Sequence, residues 1–249
     1  MNLFGPNEDV RALFASLQAV LGPGEIVDDN IGGSACYHVY GQHRGRPIHV
    51  FITTTGGIPL AVRFGASLGG RPITLLLNHR KNTTILAVPE VRTGYSEFDE
   101  LFLLNGFPAE VLRDALDTPT RTWVIEQFTS REPTLTTERG EITLDVVVHV
   151  RFKHLARPMP PAEVVYWLDA LLPIADRLVL AFDQHHQAIS QAHGPAAAKQ
   201  WVQANAGAME ARAARRSHLR TLLYVLFLGV PLGVTFIVAA IIIALTFWR

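Results

Sequence analysis

The chain has one cysteine and three lysines in 249 residues. It has no acidic residue after Glu210 and no charge between residues 222 and 248. Each shortage excludes something. A single cysteine rules out an internal disulfide framework and any multi-cysteine zinc or iron–sulfur site. Cys36 itself reads as a small buried residue at a strand start, because no electropositive neighbour in the sequence would favour its thiolate. The phosphate-cradling GxxxxGK[ST] pattern, HExxH, the nucleophile elbow and the dinucleotide fingerprint are all missing. These motifs encode geometry, so their absence counts against the chemistries they serve. The pairs Gly32-Gly33, Gly56-Gly57 and Gly69-Gly70 lack the strand–loop–helix setting that phosphate binding needs. Nothing in the sequence indicates a cofactor, and an enzyme is not the favoured reading.

The missing charges divide the chain. The formal net charge is zero, but residues 212–249 carry five arginines and no acid, leaving 17 basic against 22 acidic residues in the first 211. Residues 222–248 are 27 uncharged positions, of which 22 are hydrophobic. A straight helix of that length spans about 40 Å, against a hydrocarbon core of about 30 Å. This predicts one transmembrane helix, tilted or kinked. Tyr224 and Trp248 stand near its ends, where amphipathic rings favour the membrane interface. Arg212, Arg215, Arg216 and Arg220 precede it, and the positive-inside rule then keeps the amino-terminal side in the cytoplasm. These arginines are expected to bind anionic lipid headgroups at about 1 kcal/mol each. Nucleic acid is not expected, because the cluster abuts the bilayer and the preceding domain is acidic. Within the span, Gly229-Val-Pro-Leu-Gly233 supports two readings. One is a kink at Pro231; the other is a helix-pairing surface of small residues at Gly229 and Gly233.

The first 193 residues read as one cytoplasmic α+β domain, with antiparallel hairpins packed by amphipathic helices. Val10, Leu13, Phe14, Leu17 and Leu21 recur at helical spacing after an Asn7 cap, and Gly22-Pro23-Gly24 ends the run. A hairpin turning at Arg44-Gly45 pairs His43 with Arg46. That register places Tyr37, Val39, Gly41, Ile48, Val50 and Ile52 on one face, with His38, Tyr40, His49 and Phe51 on the other. Residues 60–64, 73–77 and 84–88 read as further strands. A second hairpin turns at Arg139-Gly140 and pairs Glu138 with Glu141, so Leu135, Ile142, Leu144, Val146 and Val148 share a face. Pro108 and Thr118-Pro119 look like helix starts. A long helix opens at Pro160-Pro161, with Pro173 expected to kink or break it, and ends at Gly194-Pro195. Residues 194–220 read as an alanine-rich helical stalk leading into the anchor at 221–249.

Two groups of residues are candidates for chemistry. Asp183, His186, Ser190 and His193 fall on one helical stripe. A carboxylate and two imidazoles there could hold a metal or share a proton. Asp183 and His186 are the candidate pair, since His186 and His193 stand about 10 Å apart along the axis, too far for one ion. Otherwise the stripe is a solvated helix face or a pH-sensitive contact. His38, Tyr40, His49 and Phe51 are either ordinary cross-strand packing or a partner surface. The carboxylates Glu97, Asp99 and Glu100 read as a turn or cap, since they do not converge without a partner segment. Arginine outnumbers lysine nineteen to three, a skew associated with high-GC bacterial genomes. The expectation is a tail-anchored, single-pass protein of the bacterial inner membrane. It would act as a non-enzymatic accessory subunit beside another membrane protein or a second copy of itself. The alternatives are a membrane-tethered lipid- or small-ligand-binding domain and, less favoured, a metal-assisted hydrolase.

Overall fold

The computed structural model describes residues 8–31, 34–55, 58–82, 90–131, 133–138, 140–147 and 159–224. Residues up to Asn205 make one compact unit and those from Ala206 a second. The first unit is α+β. Its eight strands are β1 (Ile26–Ile31), β2 (Ser34–His43), β3 (Arg46–Thr55), β4 (Ile58–Ser67), β5 (Thr74–His79), β6 (Phe102–Phe107), β7 (Thr134–Glu138) and β8 (Glu141–Val147). They form one antiparallel sheet in the order β1-β2-β3-β4-β8-β7-β5-β6. The helices are α1 (Glu8–Leu21), α2 (Ser96–Leu101), α3 (Ala109–Ala115), α4 (Thr118–Arg131), α5 (Pro161–His193) and α6 (Pro195–Tyr224).

Both hairpins have the expected registers. His43 pairs with Arg46 across Arg44-Gly45, and both turn residues have positive φ (50° and 75°). That is the backbone of a two-residue turn whose twist matches the flanking strands. Glu138 pairs with Glu141. Period-two alternation then sends one row of each strand inward. Tyr37, Val39, Ile48, Val50, Ile52, Val62, Phe64, Leu135, Ile142 and Leu144 are buried. They share a single cluster with Val10, Leu13 and Leu17 of α1 and with Val164, Leu168 and Leu171 of α5. Phe14 of α1 meets the Tyr37 ring edge-on at 5.2 Å. Gly41 lies in this row because the end of α1 passes directly over it: a Cβ there would stand 2.6 Å from the Leu21 Cβ.

Several elements depart from expectation. Pro173 does not break α5, which continues to His193 with Gly194 as its cap. Pro173 is exposed, while Leu171, Leu172, Ile174 and Ala175 beside it are buried, so packing holds the turns on either side. The carboxylate-rich stretch expected as a turn or cap lies in the first turns of the short helix α2. β1 and β6 were not legible in the sequence: β1 (IVDDNI) interrupts its apolar pattern with acids, and β6 follows α2 with no turn residue between them. α6 is helical through the expected stalk, and its first turns belong to the compact unit. Ala198 and Asn205 are buried, and the Trp201 ring lies 4.9 Å from Phe182.

Among the described residues no helix is long and apolar enough to cross a membrane. The expected span is not contradicted by this, because residues 225–249 lie outside the described residues. Gly229, Pro231, Gly233 and Trp248 are therefore outside them as well, as are the Asn7 cap, Val148 and the strand expected at 84–88. Arg212, Arg215, Arg216, Arg220 and Tyr224 lie on the helical backbone of α6.

The close approach at Gly41 gives a direct check. Gly41→Ala should destabilise the solubilised chain by about 1–3 kcal/mol through overpacking. Gly45→Asn, with open space around the position and a residue type that tolerates positive φ, should cost less. Urea unfolding of the two variants measures the difference.

Candidate functional site

The second face of the hairpin carries the polar and aromatic row. Strand pairing sets His38 against Phe51 and Tyr40 against His49. The side chains use that placement in a connected way. His38 Nδ1 and His49 Nε2 are 2.9 Å apart, and the two ring planes lie within 7° of each other. The Tyr40 ring is parallel to His49 at 4.7 Å. Phe51 is tilted against His38 at 4.9 Å, and the Arg63 guanidinium lies 5.9 Å from the Phe51 ring centre. Such cross-strand pairs each contribute roughly 0.2–1 kcal/mol. Tyr40 is 43% exposed, one of three large hydrophobic side chains so open among the described residues. His38, His49 and Phe51 are half-buried by one another and by their neighbours.

The row continues onto the neighbouring strands. Arg63 on β4 makes a two-pronged pair with Asp145 on β8, one prong through Nη2 at 3.1 Å. Glu141 on β8 reaches over β4 to His49, with its Oε2 3.3 Å from Nδ1. It crosses at Gly65, which pairs with His49 on one side and Thr143 on the other. Glu141, Gly65, Arg63 and Asp145 were not singled out from the sequence. The available signal was a glycine inside a strand, which marks close approach by another group.

The other candidates are occupied structurally. Asp183 is gripped by Arg71 through Nε at 2.8 Å and Nη2 at 2.6 Å. The hydrogen bonds from Arg71 hold its carboxyl below the usual carboxylate range; burial opposes this, and the charges of Arg71 and His186 assist it. Asp169, Asp176 and Asp183 recur every seven residues and form one stripe along α5. Arg44 donates to Asp169 at 2.7 Å, and His43 bonds the same carboxylate at 3.0 Å. Arg46 pairs with Asp176. On the other flank of α5, His185 bonds Asp114 at 2.7 Å and Arg177 pairs with Asp117 at 3.1 Å. Burial alone would raise the Asp117 pKa, but two hydrogen bonds from Thr120, with Arg177 and Arg121, bring it down.

Asp183 is thus one step of an acidic ladder that ties α5 to the sheet side, together with Asp169 and Asp176. His186 is exposed, and among the described residues no three His, Cys, Asp or Glu side chains gather as metal ligands. Asp99 accepts hydrogen bonds from the Thr93 and Gly94 backbone and the Thr93 hydroxyl at 2.9–3.0 Å, which shapes the loop before α2. Tyr95 donates separately to Glu97 at 3.2 Å. Cys36 is buried near the start of β2.

Compared with protein-family models, with curated proteins and with solved structures, the chain matches none.

The Arg71–Asp183 pair has a defined pH dependence. A carboxyl with a depressed folded pKa contributes stability that is present above its unfolded value of about 3.9 and is lost as pH falls through the folded value. Asp183→Asn should therefore lower stability at neutral pH and flatten the acid limb of a melting-temperature profile. An acid limb identical to that of the parent protein would show that the pair contributes nothing.

Proposed function

We propose that the protein is a membrane-anchored, non-enzymatic interaction subunit, held at the cytoplasmic face of a bacterial inner membrane. The observation that carries this reading is the uncharged apolar run at 222–248, preceded by Arg212, Arg215, Arg216 and Arg220. Its length suits a membrane span, and the arginine bias suits retention of the amino-terminal side in the cytoplasm. Helix α6 supports it, because the backbone carrying the four arginines is one continuous helix from Pro195 to Tyr224. The arginines would meet anionic headgroups. The partner would be another membrane protein or a second copy of this chain, recognised by the face of His38, Tyr40, His49 and Phe51. Tyr40 is the side chain on that row most open to a partner. Tyrosine suits the task, since its large ring adds contact area at little cost in conformational entropy.

Membrane fractionation tests the anchor. The chain should sediment with membranes, resist alkaline extraction, and become soluble when truncated after residue 221. Protease added from the cytoplasmic side should digest the amino-terminal unit, and protease added from outside should not. A full-length chain found in the soluble fraction, or the reverse protease pattern, would contradict the reading. Recovery as a lone monomer across several mild detergents would contradict the subunit role.

A further inference from the structure

We propose that the outer edge of β1 takes up an extended, basic cytoplasmic segment of a membrane protein as an additional strand. The identity of the occupant rests on the docking role proposed above; the chemistry of the edge follows from the fold.

The two ends of the sheet differ. At one end the Val91 N–H donates to the Leu104 carbonyl of β6 at 2.8 Å, and Glu90 bridges Asn105. The chain thus covers part of that edge itself. At the other end no strand lies beyond β1 among the described residues. The ladder fixes which groups of β1 look outward. The Glu25 carbonyl accepts from the Tyr40 N–H at 3.0 Å. Bonded and non-bonded pairs alternate in an antiparallel ladder, so Val27 with His38 and Asp29 with Cys36 are the bonded pairs that follow. Ile26 and Asn30 therefore turn their N–H and C=O groups away from β2. An incoming strand binds through groups so placed.

The side chains extend the docking face to this edge. Val27 pairs with His38 and so stands diagonal to Tyr40 on the same face. The two are 39% and 43% exposed. Glu25 and Asp28 are exposed as well, and residues 25–31 hold three carboxylates and no cation. A second copy pairing by this edge would double that charge in one ladder. A register centred on Asp28 sets it against its own copy, and one centred on Val27 sets Asp29 against Glu25. Like charges directly opposite are destabilising.

A cationic strand reverses the sign. Cytoplasmic loops of membrane proteins carry an excess of lysine and arginine, and a domain retained at that face meets them. The matching segment presents cations opposite Glu25, Asp28 and Asp29, and apolar side chains opposite Ile26 and Val27. Its backbone supplies affinity, while its charges supply selectivity and a faster encounter.

Amide hydrogen exchange on the full chain in phosphatidylcholine nanodiscs tests the edge. The probe is the capped peptide Thr-Lys-Lys-Val-Val-Lys-Thr, and a lipid without net charge removes the bilayer's attraction for it. Near saturation, exchange at Ile26 and Asn30 should slow by about tenfold, while Val27, already bonded to β2, changes little. Glu25→Lys should weaken the peptide by up to about fivefold, and a peptide with glutamate in place of lysine should protect neither amide. No protection from the lysine peptide, or equal protection from both, overturns the basic edge. In cells, a photo-crosslinking residue at Val27 should trap the same membrane protein as one at Tyr40. A product from 40 without one from 27 overturns strand addition and leaves the docking role standing. A second copy trapped at 27 overturns the assigned occupant. No product from either position overturns the docking role and leaves the peptide result standing.

Discussion

The pairing of His43 with Arg46 around Arg44-Gly45 is the constraint on which both faces of the sheet depend. Side chains on a strand alternate with a period of two, so a slip of one residue would exchange the faces. Tyr37, Val39, Ile48, Val50 and Ile52 would then leave the core, and two histidines would enter it. Burying unpaired imidazoles is costly, and so is exposing five apolar side chains. The register is therefore held by the core, and the polar row inherits its order from that choice. His38 meets His49 diagonally, and Tyr40 lies beside it, because nothing else is compatible with Val39 and Val50 pointing inward.

The same turn also ties the sheet to its longest helix. Arg44 in the turn and His43 and Arg46 beside it each reach a carboxylate on the Asp169–Asp176 stripe of α5. Arg71 continues the ladder to Asp183. Several of these groups are more than a third exposed, where solvent and salt weaken an ion pair. Their role is better described as orientation. The apolar face of α5 supplies most of the stabilisation, and the acidic stripe sets which way the helix lies against the hairpin. Pro173 fits the same description, since it is exposed within a helix held by buried residues on both sides.

Much of this was legible before any coordinates. Both hairpin turns, the buried rows and the starts of α3, α4 and α5 follow from turn chemistry, proline position and apolar period. The identity of the four-residue aromatic row also follows, because register determines it. What could not be read were contacts made across the chain. Glu141 stands 92 positions from His49, and only the strand order β3-β4-β8 brings them together over Gly65. Asp183 and His186 have the i, i+3 spacing of a metal or acid–base pair, but Asp183 is held instead by Arg71, 112 positions away in the chain, a contact only the tertiary structure shows. β1 and β6 were missed for local reasons: one carries acids at an edge, where charge discourages unwanted pairing, and the other continues an apolar run that suits helix and strand alike.

The central claim is that the imidazole and aromatic row is the face by which a membrane-anchored domain engages its partner. Two exposed apolar positions allow a controlled comparison: Tyr40 on that row, and Leu180 on α5, 49% exposed. A photo-crosslinking residue placed at each, in cells, reports what lies against it in the native membrane. The account predicts a discrete crosslinked product with a membrane protein, or with a second copy of this chain, from position 40 and none from position 180. No product at 40, or the same product from both positions, would contradict it.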